Sequence, residues 1–234
     1  MYYGYFDPTI IVLIPAIIFT LYAQSKVKSA YSKYLRVPVR RGITGYQAAR
    51  MILDKNGMSH VPIEITSGTL TDHYDPSRDV MRLSNDVYNG ATIASVSIAA
   101  HESGHALQDG ASYGFLKFRN TIAPVVSLVS TAATPLLLIG LIIIWQGNFT
   151  TGNFVFNLGI IFFCAVILFH TVTLPVEFNA SKRAVRQLVD LNIIDEAEVR
   201  GAKKVLSAAA MTYVAALATA LATLIRMLML RGRD

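Results

Sequence analysis

Apolar residues in this chain gather into long unbroken runs around one stretch of mixed pattern. Two runs, residues 121–145 and 154–175, are long enough at about 1.5 Å per residue to cross a hydrocarbon layer about 30 Å thick. They are joined by the eight residues QGNFTTGN and predict a helical hairpin. A third run, residues 205–230, is rich in alanine, and Ala208, Thr212, Ala216 and Ala220 repeat every four residues. Such a stripe lets helices approach closely inside a bilayer. This run reads either as a full span or as a helix dipping into the bundle from the cytoplasmic side. A shorter run, residues 8–23, is flanked by Tyr2, Tyr3, Tyr5, Phe6 and Tyr22 as interfacial aromatics. Positive charge follows it instead of preceding it, which predicts an anchor with its N-terminus outside and not a cleaved leader.

The mixed stretch, residues 25–120, reads as a water-facing α+β unit. Thr44 and Gln47 form a capping box that opens a helix, and Asn56-Gly57 closes it. Residues 61–66 and 80–83 read as strands around a turn at Asp75-Pro76. A cap at residues 84–86 leads toward a helix of Ala, Ser and Ile that continues to about Gln108. Residues 176–204 return to polar pattern, and residues 195–198 start a short helix there. The expected architecture is a mainly α membrane protein with three to four transmembrane helices and a small α+β cytoplasmic unit.

Composition sharpens this picture. Of 234 residues, 53% are apolar and only 15% charged, with a mean hydropathy of +0.45. A soluble domain carries about a quarter charged residues, so a membrane protein is expected, and disorder, collagen and coiled coil are excluded. The net charge of +6 does not point to nucleic acid, because the basic residues flank the apolar runs. Eight Lys/Arg lie in residues 24–60 and six in residues 177–205, against none in 146–153. The positive-inside rule places both basic segments in the cytoplasm, although Arg231 and Arg233 then oppose it if the last run crosses. The single cysteine, Cys164, excludes an internal disulfide and reads as a small buried hydrophobe. The triplet Asn148-Phe149-Thr150 fits a glycosylation sequon, but a tight hairpin turn is a poor acceptor.

The chemistry is concentrated in His101-Glu102-Ser103-Gly104-His105, an H-E-x-x-H pattern. On a helix it projects two imidazoles from one face, one turn apart, as a zinc ion requires, and leaves Glu102 as general base toward a water activated by the metal. The helix is apolar on most faces, a costly place for His-Glu-His without a ligand. A hydrolytic zinc site uses three protein donors. The metzincin extension fails, since it needs glycine at 108 and histidine at 111 where this chain has Gln108 and Ala111. Asp109 stands on the same face, but three donors stacked along a straight helix converge poorly on one ion. Glu177 is the better donor. It is the only glutamate between residues 103 and 195, and the hairpin returns it to the membrane boundary where the H-E-x-x-H helix must lie. An interfacial Glu pairing with Lys182 or Arg183 is the competing reading.

H-E-x-x-H followed, after a membrane hairpin, by E-F-x-A-S-x-x-A resembles the membrane-bound gluzincins of the HtpX and CAAX prenyl protease type, and more closely the YugP-like neutral zinc metallopeptidases. DHYDPSRDVMRLSNDVY, AAHESGHALQ and LPVEFNASKRA fall in the family order, so the resemblance covers nearly the whole chain. It implies His101, His105 and Glu177 as ligands of one Zn²⁺, Glu102 as catalytic base, and a gluzincin-like endopeptidase unit facing the cytoplasm from the cell membrane. The implied partners are a polypeptide substrate, itself a membrane protein, and the lipid bilayer. Ser181 departs from the HtpX pattern, which has Asp four residues after the Glu ligand, and is a weaker partner for a ligand histidine.

Other candidates keep two readings. His170, about 10 Å deeper than Glu177 on the same helix face, is too far to share the ion and reads as a packing residue. His73 reads as a solvated turn histidine or an oxyanion stabiliser, and Arg183 and Arg186 as oxyanion stabilisers or contacts to lipid phosphate. The run 80–83 reads equally as plain sheet or as an edge for an extended substrate. A site-2-type intramembrane protease is excluded because the run 154–175 contains no Asp. A catalytically inactive metal-stabilised scaffold is the non-enzyme alternative, against which Glu102 speaks, since a structural ion needs no base.

Overall fold

The computed structural model describes residues 8–232, so Tyr2, Tyr3, Tyr5 and Phe6 lie outside the described residues. The fold is mostly helical. A 3-10 turn at Pro8–Val12 leads into α1 (Ile14–Tyr34), followed by α2 (Gly45–Lys55) and the strands β1 (Ile63–Thr66), β2 (His73–Asp75) and β3 (Val80–Ser84). The short α3 (Asn85–Asn89), α4 (Ile93–Gly110), α5 (Gly114–Trp145), α6 (Phe149–Asp190) and α7 (Glu196–Arg231) complete it. The chain divides into two compact units.

One unit holds the chain up to Tyr22, residues 118–173, and the chain from Thr212 onward. Its core joins Leu137, Leu141 and Ile144 of α5, Phe156 and Phe163 of α6, and Ala220 and Met227 of α7. Glycines permit the close approach of α5 and α6: a Cβ at Gly140 would lie 2.6 Å from the backbone nitrogen of Phe156. The hairpin turn is tighter than the eight-residue loop expected from the sequence. The Asn148 side chain accepts from the Thr151 N–H and starts α6 at Phe149. Among the described residues three helices, α5, α6 and α7, are long and apolar enough to cross a membrane. The run 8–23 is not among them: it is split between the 3-10 turn and the start of α1, which continues through Lys26, Lys28 and Lys33. Residues 196–198 and the alanine-rich run belong to one unbroken helix, α7, which starts directly after Asp195. Cys164 is exposed on α6, contrary to the expectation of a buried residue, because it lies next to the core-facing Phe163 and points off that face.

The other unit comprises residues 23–117 and 174–211. The Thr44–Gln47 capping box opens α2, and Gly57 at φ +76° carries the chain away from its end. The sheet order is β1-β3-β2, with β3 parallel to β1 and antiparallel to β2. β3 is therefore central, and the run 80–83 offers no edge to a substrate because both its sides are paired. Met81 and Leu83 are fully buried on one face of β3, while Arg82 on the other pairs with Glu64 and Asp75. The core includes Ile52 and Leu53 of α2, Val96, Ala99 and Ala100 of α4, and Leu188 of α6. The cap expected at residues 84–86 opens only α3. A separate cap, Thr92 accepting from the Ser95 N–H, opens α4.

Candidate metal centre

α4 supplies His101, Glu102 and His105, and α6 supplies Glu177. Both helices come together where α4 carries Gly104: a Cβ there would lie 2.6 Å from the Ala180 carbonyl oxygen, so only glycine lets the backbones approach this closely. α6 reaches this point because it runs through Pro175 without ending there, as the sequence had suggested it would.

His101 Nε2 lies 3.2 Å and His105 Nε2 3.6 Å from Glu177 Oε2. The three side chains offer donor atoms that all fall within 4.8 Å of one another. Four ligands held tetrahedrally at about 2.0–2.1 Å stand about 3.3 Å apart. The observed separations match one such ion, and two imidazoles with a carboxylate form a donor set that suits zinc. Among the described residues this is the one group of three or more metal-ligating side chains so arranged.

The surrounding contacts orient these groups. Ser181 Oγ lies 3.2 Å from His101 Nδ1, and Gln108 Oε1 lies 3.0 Å from His105 Nδ1. Both imidazoles thus have a neutral partner on the nitrogen turned away from Glu177. Glu102 is buried and accepts the Tyr74 backbone N–H at Oε2 (3.1 Å). The Tyr74 hydroxyl contacts Asp79 (2.7 Å) and Asp109 (3.1 Å), tying β2 to the β2–β3 turn and the last turn of α4.

Burial raises the Glu102 carboxyl above the usual carboxylate range, with the charges of His101 and His105 opposing the shift. Burial also acts against the charged form of Glu177, but hydrogen bonds and charge from both histidines outweigh it and hold that carboxyl well below its ordinary value. For His105, burial disfavours the cation, and the Glu177 and Glu102 carboxylates overcome it and shift the imidazole upward.

The remaining sequence candidates stand apart from this group. Asp109 accepts from the Tyr74 hydroxyl, and His73 Nδ1 donates to the Thr71 carbonyl, which can only accept. Arg183 donates to Asn179, Arg186 pairs with Asp190, and His170 packs beside Phe169 in the other unit. Tyr74 and Asn179 were not singled out by the sequence, and Gln108 drew notice only as a mismatch to the metzincin pattern. The i,i+3 spacing of Gln108 from His105 was the available signal; for Tyr74 there was none, because its contact depends on where β2 docks.

A helix-borne His-Glu-His set with a carboxylate from a second helix is the arrangement of a zinc peptidase. The chain belongs to the family described as "Putative neutral zinc metallopeptidase", whose model matches residues 9–232. It is 48% identical over 227 residues to "Putative membrane protease YugP" of Bacillus subtilis (strain 168), a match covering 96% of this chain and 98% of that one. No solved structure matches it.

Proposed function

We propose that the protein is a membrane-anchored zinc metalloendopeptidase of gluzincin type that hydrolyses peptide bonds of membrane or membrane-proximal proteins at the cytoplasmic surface of the cell membrane. The observation that carries this reading is the convergence of His101, His105 and Glu177 donor atoms within 4.8 Å, beside the buried Glu102. In this reading the three are the metal ligands and Glu102 is the catalytic base.

When bound, the zinc ion supplies Lewis acidity toward a water and the scissile carbonyl. His101 and His105 present Nε2 because Nδ1 of each is engaged by Ser181 and Gln108. Glu177, held ionised, supplies the carboxylate. Glu102 has Oε2 occupied by the Tyr74 N–H, which leaves Oε1 to take a proton from the attacking water and deliver it to the departing amine. Burial favours the protonated form needed for that delivery.

The membrane part of the proposal comprises residues 8–23, 121–175 and 205–230 as a multi-pass bundle, and the cytoplasmic part residues 25–120 and 176–204. Three helices of sufficient length and apolarity support it. So do the exposed Ile10, Ile11, Ile14, Ile17, Ile18 and Leu21 before and along α1, which favour a fourth membrane-embedded segment. The basic segments on either side of the hairpin favour the cytoplasmic orientation.

The test is Glu102→Gln in the full-length protein. Peptidase activity falls by at least about 10²–10⁴-fold, the share a positioned general base contributes, while zinc content per chain is retained. Unchanged activity would refute the assignment of Glu102, and an inactive wild type that still holds zinc would favour the scaffold.

A further inference from the structure

A hydrogen-bond chain between α4 and α6 ends at one of the proposed ligands. Arg183 Nε donates to Asn179 Oδ1 at 2.8 Å. Gln108 Nε2 donates to the same oxygen at 3.1 Å and to the Val176 carbonyl at 2.8 Å, and Gln108 Oε1 lies 3.0 Å from His105 Nδ1. The direction of this chain follows from what each group can do. A guanidinium only donates, so the Asn179 atom facing it is the carbonyl oxygen. That oxygen and the Val176 carbonyl are both acceptors, so the amino end of Gln108 must face α6. Its carbonyl end then faces His105 and can only accept, which places a hydrogen on Nδ1 and turns Nε2 toward Glu177. Gln108 is fully buried, so no solvent competes for these contacts.

We infer that Gln108, held by Asn179 and Arg183, is the positioning residue that sets the tautomer and ring orientation of His105 for the ion. This rests on the reading of His105 as a metal ligand. Groups that orient ligand histidines are commonly carboxylates, and their loss typically weakens metal binding by about 10–100-fold. Here a neutral amide performs the task, and its own orientation is fixed by two acceptors on α6, the Val176 carbonyl and the Asn179 oxygen that Arg183 holds in place. Asn179 contributes through its oxygen alone, since both of its contacts in the chain are donors to that atom.

The test uses full-length protein in detergent, ¹⁵N-labelled in histidine and loaded with zinc. Zinc affinity is read by chelator competition, and the His105 Nδ1–H proton by NMR. In the wild type the Nδ1–H resonance is protected from solvent exchange. In Gln108→Leu it is lost, and affinity falls by about 10–100-fold. Because Gln108 is buried and its replacement can disturb folding, the half-buried Asn179 gives a second comparison. Asn179→Asp keeps an acceptor for both donors and retains wild-type or tighter affinity with the resonance protected. Asn179→Leu lowers affinity by about tenfold and exposes the resonance to exchange. A packing role alone would leave the Nδ1–H resonance unmoved. Wild-type zinc affinity and a protected resonance in Asn179→Leu, or an unprotected Nδ1–H in the wild type, would overturn the inference. Failure of the ligand reading is separate: it appears as full zinc retention in Glu177→Gln, whatever the Nδ1–H resonance does.

Discussion

α4 and α6 reach the same point by different means. α4 is an 18-residue helix, buried over most of its length, and its two histidines share a face by the i,i+4 spacing alone. α6 is 42 residues long and presents Glu177 only because the helix continues through Pro175. That proline cannot donate to the Thr171 carbonyl, the bond an ordinary residue would make. The pair on α4 is therefore a local property of five residues, whereas the approach of Glu177 is a packing problem solved at one contact, Gly104 against Ala180. The difference teaches that the two-histidine half of the site tolerates much change elsewhere, and the carboxylate half depends on backbone proximity.

Gly104→Val breaks this contrast most severely. A side chain placed 2.6 Å from a backbone oxygen forces the helices apart, at an expected cost of about 1–3 kcal/mol. For a chain of this size each kcal/mol lowers the thermal midpoint by about 2–4 °C. Thermal unfolding followed by circular dichroism checks this, and zinc titration should weaken in parallel because Glu177 moves away from the histidines. An unaltered midpoint and titration would mean that the crossing has slack. A smaller effect sharpens the contrast from the α6 side. Ser181→Ala removes one contact to His101 Nδ1, worth about 1 kcal/mol, and zinc affinity falls about fivefold in chelator competition. Ser181→Asp restores and exceeds it, because a carboxylate makes a charge-assisted bond to the same nitrogen. Equal affinities across the series would show that Ser181 does not orient His101.

What could be read from the chain beforehand follows the same division. The long apolar helices α5 and α6 were legible as a hairpin, because apolar run length is a local quantity. The capping box at Thr44 was legible for the same reason, as was the helix start near Asp195, whose N–H the Glu198 side chain accepts. The H-E-x-x-H residues lie on one helix, as their spacing implied. The order of strands was not legible: residues 80–83 become the central strand only because β1 and β2 flank them from opposite sides in space. Pro175 looked like a helix end because the residue before proline disfavours helix. Residues 8–23 read as a short anchor, and the helix that begins within them was not legible as continuing through Lys26, Lys28 and Lys33. Gln108 and Asn179 were silent because their roles exist only where two distant helices meet.

The central claim is that one zinc ion is held jointly by α4 and α6. Metal content of the purified full-length protein, compared between the wild type and Glu177→Gln, tests it most directly. The account predicts about one zinc per chain in the wild type and loss of most of it in the variant; a variant that keeps its full complement of zinc would contradict the account.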